Sequence, residues 1–291
     1  MERKRILISA LAVGLGGLAA VALRRTGARE LRSDWPKNVA HRGASALAPE
    51  NTLEAFRLGV EAGAGGLELD VHMTRDGGVV VIHDPTVDRT TDGTGAVAEM
   101  TLGDLRRLDA GYRFSQDGGS SYPYRGAGVR VPTLAELYET FPEACLNIEL
   151  KEAQPGIEEA VLRVVRSAGA QERTLVVSNR HGVVRRFRRL SGGEISTGAS
   201  RREITQFYSL SRGRLEWLRR PDYDALQVPV EHRGIEVVTQ RFVEAAHRRG
   251  VRVDVWTIND PDEMRRLLDL GVDTIMTDRP ADLARLLGGS G

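Results

Sequence analysis

The stretch Gly66-Leu67-Glu68-Leu69-Asp70-Val71-His72 decides how the rest of the chain is read. Side chains alternate across a β-strand, so Leu67, Leu69 and Val71 share one face while Glu68, Asp70 and His72 share the other. Alone, that alternation fits any strand with one wet face. A second stretch repeats it: in Cys145-Leu146-Asn147-Ile148-Glu149-Leu150-Lys151 the aliphatic residues fall on one side, and Cys145, Asn147, Glu149 and Lys151 on the other.

The surroundings say what kind of strands these are. Short apolar runs occur at 38–42, 66–72, 79–83, 145–151, 174–178, 194–198, 225–229, 251–259 and 274–277. Between most of them lie amphipathic stretches of helical period, such as 52–64, 156–168, 239–249 and 261–270. Strands alternating with helices imply βαβ units and a parallel sheet. No nucleotide-binding glycine pattern follows the first strand, and about eight units favour a closed (β/α)8 TIM barrel, here over residues 37–287. Nine candidates are one too many. Only residues 73–78 separate the second strand from 79–83, and Asp76-Gly77 is a hairpin turn pair. A parallel crossover needs roughly a dozen residues, so 79–83 is expected to return antiparallel, outside the ring. Residues 85–131 fit no helix–strand unit. Their turn-forming runs, 90–95 and 117–121, are expected to make a small insertion over the barrel mouth.

Composition bounds the rest. The chain has 291 residues, 41% hydrophobic and 28% charged, and a net charge of +1, which gives no electrostatic argument for nucleic acid. Lys4, Lys37 and Lys151 are the only lysines, so Lys151 stands out where arginine is the usual cation. Cys145 is the only cysteine, which excludes an intrachain disulfide and a thiolate metal cage. Residues 1–29 differ from the remainder. Arg3, Lys4 and Arg5 precede an uncharged stretch at 6–23, closed by Arg24 and Arg25. That length is near the lower limit for a membrane span and longer than a usual signal core. A signal-anchor or signal peptide is expected, with the barrel membrane-anchored or secreted and extracytoplasmic.

Buried carboxylates cost solvation unless paired or liganded. Glu68, Asp70 and Glu149 pointing into one lumen suit a divalent cation, which prefers oxygen ligands. An internally paired polar plug of the barrel is the competing explanation. His41 ends the first strand and His83 the short fourth apolar run's predecessor at 79–83; the hairpin would fold His83 back beside Asp70. Two histidines beside a cation suit phosphoryl transfer, one taking a proton and one giving it. His72, His181, His232 and His247 are expected to be packed or solvated. Asn51 is expected to cap the first helix. Trp256 shares a strand face with Asp254 and is expected at the mouth, packing on a substrate's carbon chain.

Several motifs occur in order: His41-Arg42-Gly43, Pro49-Glu50-Asn51-Thr52, Glu68-Leu69-Asp70-Val71, His83-Asp84, Asn147-Ile148-Glu149-Leu150-Lys151, Trp256-Thr257-Ile258-Asn259 and Thr277-Asp278-Arg279-Pro280. Together they resemble the glycerophosphodiester phosphodiesterase family. The resemblance implies that Glu68, Asp70 and Glu149 bind one divalent cation, Ca2+ or Mg2+. It implies His41 and His83 as the acid–base pair, and Arg42 and Lys151 as phosphate contacts. The expected reaction is metal-dependent hydrolysis of a small-molecule or lipid phosphodiester, giving an alcohol and glycerol 3-phosphate. Two alternatives are a lysophospholipase D or sphingomyelinase D-like activity on membrane lipids, and a non-catalytic phosphodiester-binding module.

Overall fold

The computed structural model describes residues 35–151 and 155–288. The apolar stretch at 6–23, with its expected role as anchor or signal peptide, lies outside them. The described strands are β1 (Asn38–His41), β2 (Gly66–Met73), β3 (Val79–Val81), β4 (Cys145–Leu150), β5 (Thr174–Val177), β6 (Ser196–Thr197), β7 (Ala225–Val228), β8 (Glu231–His232), β9 (Ile235–Glu236), β10 (Arg252–Val255) and β11 (Thr274–Thr277).

Eight of them form a parallel ring in the order β6-β5-β4-β2-β1-β11-β10-β7. The ends of that path meet through one parallel bridge, Gly198 to Ala225. There the Ala199 N–H donates to the Ala225 carbonyl and the Asp224 N–H to the Thr197 carbonyl, each at 2.8 Å. β3 pairs antiparallel with β2, Val81 opposite Val71 and Val79 opposite Met73, and lies off the ring. The strand count and the hairpin expected at Asp76-Gly77 both hold. Three strands fall two or more residues short of their apolar runs: β3 stops at Val81, β6 keeps only Ser196 and Thr197, and β10 stops at Val255. The small exposed hairpin β8–β9 was not anticipated; its two-residue strands are too short to carry a periodic pattern.

Alternation sorts the side chains as the ring requires. Leu67, Leu69, Val71, Leu146, Ile148 and Leu150 are fully buried against helix residues such as Phe56, Val161 and Val165. Leu226, Val253, Val255 and Ile275 do the same against Phe242, Met264 and Leu267. At about 1.5–3 kcal/mol for each large aliphatic side chain buried, this annulus between strands and helices carries the fold. It leaves the opposite faces of the same strands for the lumen. Helix starts are fixed by side-chain caps. Thr133 with Glu136 and Ser200 with Glu203 form capping boxes, and Asp260 caps the helix that begins at Pro261. On the first helix, Leu53–Glu61, the cap is Thr52, whose Oγ1 accepts from the Ala55 N–H at 3.2 Å. Asn51 is therefore free for another task.

The segment 85–131 packs its own small core, in which Val87, Val97, Leu105, Ala110 and Val131 surround Val80 and Ile82. It is also tied to the loop after β1: Gln116 Nε2 donates to the Ala46 carbonyl at 2.9 Å, and the Tyr124 hydroxyl to that of Leu47 at 3.4 Å. Among the described residues no helix is long and apolar enough to cross a membrane.

Candidate active site

At the carboxy-terminal ends of the ring strands a cavity of about 230 Å³ opens. His41, Arg42, Glu68, Asp70, His83, Glu149, Lys151 and Trp256 all line it. Every site residue proposed from the sequence thus reaches one space.

The carboxylates come from neighbouring strands in register, Glu68 and Asp70 on β2 with Asp70 beside Glu149 on β4. One oxygen from each of Glu68, Asp70 and Glu149 lies within 4.8 Å of the other two. Three hard oxygen donors at that spacing fit a cation such as Ca2+ or Mg2+. Electrostatics agree. Burial, then the charges of Asp70 and Glu149, push the Glu68 carboxyl up to about 8, against the partial relief from His41 and Arg42. The cluster holds more negative charge than its own cations balance.

Those cations are Arg42 and Lys151. Lys151 Nζ is 2.6 Å from Glu149 Oε2 and 3.0 Å from Asp70 Oδ1. Arg42 Nε is 3.2 Å from Asp70 Oδ2, and Nη1 donates to Glu50 Oε1 at 2.9 Å. Burial works against the Asp70 anion, yet Lys151 and Arg42 hold its carboxyl below the usual range. Asn51 completes this shell, donating from Nδ2 to Asp70 Oδ2 at 2.9 Å. Local backbone makes the arrangement possible. Arg42 and Asn51 both sit at positive φ, 54° and 57°, where non-glycine residues are uncommon and cluster at functional sites. That conformation lets the Arg42 N–H donate to Glu68 Oε2 at 3.2 Å. Gly43 must be glycine: at φ 86° a Cβ would lie 2.5 Å from the Ala55 backbone.

Each histidine is held by an aspartate. His41 Nδ1 lies 2.7 Å from Asp278 Oδ1, and His83 Nδ1 lies 2.6 Å from Asp84 Oδ1. A carboxylate only accepts, so each Nδ1 carries the proton and each Nε2 is left for the cavity. His41 Nε2 is 3.9 Å from Glu68 Oε2. Burial lowers the His41 pKa, but the Asp278 bond and the Glu68 charge outweigh it, and the net shift is upward. Asp278 is fixed by Ser45 Oγ at 2.7 Å and Asn259 Nδ2 at 2.6 Å. Despite burial, the bonds from His41, Asn259 and Ser45 bring its carboxyl down to about 2. Asp84 is brought down to about 2 chiefly by Arg89, whose Nε donates to it at 2.6 Å. Arg89 also clasps Glu50 through Nη1 at 2.8 Å and Nη2 at 2.7 Å. A continuous chain therefore runs Arg42–Glu50–Arg89–Asp84–His83, joining the loop after β1 to the segment after β3.

His83 itself lies two residues beyond the end of β3, where pairing persists through the Ile82 N–H to the Asp70 carbonyl at 2.9 Å. It stands beside Asp70 as the hairpin implied, although not on the strand. Of the other histidines, His72 Nε2 meets the His83 carbonyl at 3.0 Å, His247 pairs with Asp273 at 2.8 Å, and His181 with Ser200 at 3.0 Å. Sequence reasoning missed Asp84, Asp278, Arg89, Ser45 and Asn259 and gave Asn51 the wrong role. Their signal was positional: Asp84 adjoins His83, and Asp278 follows β11, which the closed ring places beside β1.

Comparison with known proteins agrees with this geometry. The model of the glycerophosphoryl diester phosphodiesterase family matches residues 41–282. A glycerophosphodiester phosphodiesterase of Caldanaerobacter subterraneus subsp. tengcongensis is 35% identical over 86% of this chain and 96% of its own. One of Bacillus altitudinis is 33% identical over 84% and 95%. A solved Oleispira antarctica phosphodiesterase, in complex with the product sn-glycerol-3-phosphate, superposes with a TM-score of 0.72 at 29% identity, over 88% of this chain and 98% of that one. The chain belongs to the glycerophosphoryl diester phosphodiesterase family and is an enzyme of that family.

Proposed function

We propose that the chain hydrolyses glycerophosphodiesters to an alcohol and glycerol 3-phosphate, with His41 and His83 moving the protons and Glu68, Asp70 and Glu149 holding one divalent cation, Ca2+ or Mg2+. The observation that carries this reading is the pair of imidazoles, each pinned at Nδ1 by an aspartate, lining the same cavity as the three-carboxylate cluster. When bound, the cation supplies Lewis-acid neutralisation of phosphoryl charge.

The protein's own groups do the rest. Neutral His41 takes the proton of the attacking hydroxyl through Nε2 while Asp278 stabilises the imidazolium that forms. Arg42 and Lys151 offset charge developing on the phosphoryl oxygens. Protonated His83 gives its proton to the departing alcohol. The acid role falls to His83 because its side chain is the more exposed, 30% against 18%, and the alcohol leaves through the mouth. On a glycerol head the neighbouring hydroxyl is the nearest nucleophile, so a cyclic phosphate forms first and water then opens it with the two roles reversed. Trp256, 41% exposed, flanks the path with an apolar face.

Nothing among the relatives favours the lysophospholipase D or sphingomyelinase D-like alternative, or a non-catalytic module. Hydrolysis of glycerophosphocholine, followed with and without chelator and in His41→Ala, tests the scheme. Turnover stopped by chelator and lost in the variant supports it; turnover indifferent to either refutes it. We also propose that residues 1–29 anchor or export the barrel to the extracytoplasmic side. Fractionation of cells expressing the full chain checks this, and barrel found in the cytosol would refute it.

A further inference from the structure

Eight large apolar side chains are exposed among the described residues, and three of them, Leu215, Trp217 and Leu218, fall within four consecutive positions. Scattered apolar residues need no explanation, but a cluster this dense does. Trp217 is 65% exposed and Leu218 53%. The exposed charges accompanying them are all of one sign. In Arg212-Gly213-Arg214-Leu215-Glu216-Trp217-Leu218-Arg219-Arg220 the four arginines are exposed. The single acid, Glu216, turns inward and accepts from Arg248 Nη2 at 2.8 Å.

A cavity of about 360 Å³ adjoins this ridge, and Arg185, Arg202, Arg219 and Arg220 are in its wall. The acids of the same wall are already committed. Glu203 and Asp222 are 2.7 Å and 3.2 Å from Arg188, and Glu216 is held by Arg248. Among the described residues none of Arg185, Arg202 and Arg219 forms an ion pair. An apolar ridge with an indole, set beside guanidinium groups without counter-charge, has the composition of an interfacial lipid contact. The indole and leucines enter the headgroup–acyl boundary, and the arginines meet lipid phosphates.

We propose that residues 212–220, with the arginine-lined cavity beside them, are a docking surface for an anionic lipid bilayer. A phosphate-bearing sheet of negative charge complements both halves of the surface at once. The chain's connectivity points the same way. The connection 213–224 leads into the amino-terminal end of β7. Trp35, through which residues 1–34 join the barrel, stacks under Arg252 at the start of β10, the neighbour of β7 in the ring. Eleven residues separate the uncharged stretch 6–23 from Trp35, a reach of at most ~40 Å. No residue of the catalytic cavity belongs to the docking surface.

The test uses the barrel from residue 34, which stands alone as a fold: the solved Oleispira chain is matched over 98% of its length by 88% of this one. The barrel is co-sedimented with vesicles of phosphatidylcholine plus phosphatidylglycerol, and with phosphatidylcholine alone. Binding to the anionic vesicles only, a blue shift of tryptophan emission, and release in about 1 M salt, where the screening length is ~3 Å, are expected. A Trp217→Ser/Leu218→Ser variant should lose at least about ten-fold in vesicle affinity and keep wild-type turnover of glycerophosphocholine, which shows that it is folded. Failure to sediment with anionic vesicles, or undiminished binding by the variant, would overturn the proposal. So would sedimentation equilibrium showing that the same substitutions dissolve a dimer, because the surface would then belong to a second copy of the chain.

Discussion

The barrel lumen holds two layers of buried charge, and they behave differently. In the lower layer Arg252 and Asp254 stand two residues apart on β10. They contact each other at 3.4 Å, with Trp35 stacked on the guanidinium at 4.6 Å and Gln227 Nε2 donating to Asp254 at 3.4 Å. One cation meets one anion, sealed from solvent. In the upper layer Glu68, Asp70 and Glu149 face two cations, Arg42 and Lys151, on an open cavity. Buried charge in a barrel is thus not in itself a sign of function. A layer balanced internally is structure. A layer with surplus negative charge, oxygen donors converging within 4.8 Å, and access to solvent is built to take up a cation.

Substitutions that exchange the behaviour of the layers test the contrast. The largest effect is expected for Glu68→Gln. Turnover of glycerophosphocholine should fall by about 10³-fold or more, through loss of a ligand and its charge. Stability should move the other way. Glu68 has a folded pKa of about 8, above that of an exposed glutamate, so the metal-free folded protein holds a proton that the unfolded chain has released. That stabilisation is complete below about pH 4.5 and declines as pH rises through about 8, and the variant lacks the decline. Chelated Glu68→Gln should gain on wild type with rising pH, by up to about 5 kcal/mol, read from urea unfolding at a series of pH values. Asp254→Ala should show the mirror image. It strands Arg252 in the lumen, so stability falls by about 3 kcal/mol while kcat on the folded fraction stays near wild type.

Smaller effects should follow from the histidine mounts. Asp278→Asn removes the bond that raises the His41 pKa. Its turnover should drop by about 10–10²-fold, with the His41 limb of the pH–rate profile moved to lower pH. Arg89→Ala is expected to be mildest. Arg89 is 47% exposed, so unfolding free energy should change by less than about 1 kcal/mol. kcat/KM should still fall roughly ten-fold, because Asp84 and Glu50 lose their common clamp.

Alternation along β2 and β4 made the fold and the upper layer legible, because period-two patterning states directly which residues share a face. Counting the loop between Met73 and Val79 put β3 outside the ring and His83 beside Asp70. What sequence could not show was contact made by ring closure. His41 and Asp278 are 237 residues apart and meet only because β11 returns beside β1. The Arg42–Glu50–Arg89–Asp84 chain likewise joins two loops whose approach is set by packing of the segment 85–131, which has no periodicity to read. Asn51 was misread because a residue before a helix is more often a cap; Thr52 takes that place, and the positive φ of Asn51 turns its amide onto Asp70.

The most direct test is cation binding by the chelator-stripped barrel, titrated calorimetrically with Ca2+ and with Mg2+ at about pH 6 and about pH 8.5, either side of the Glu68 titration. One ion per chain should bind, more tightly at the higher pH because Glu68 must lose its proton, and Glu149→Gln should abolish the signal. Binding that is independent of pH, or undisturbed when Glu68, Asp70 or Glu149 is replaced, would show that the cation does not belong to these three carboxylates.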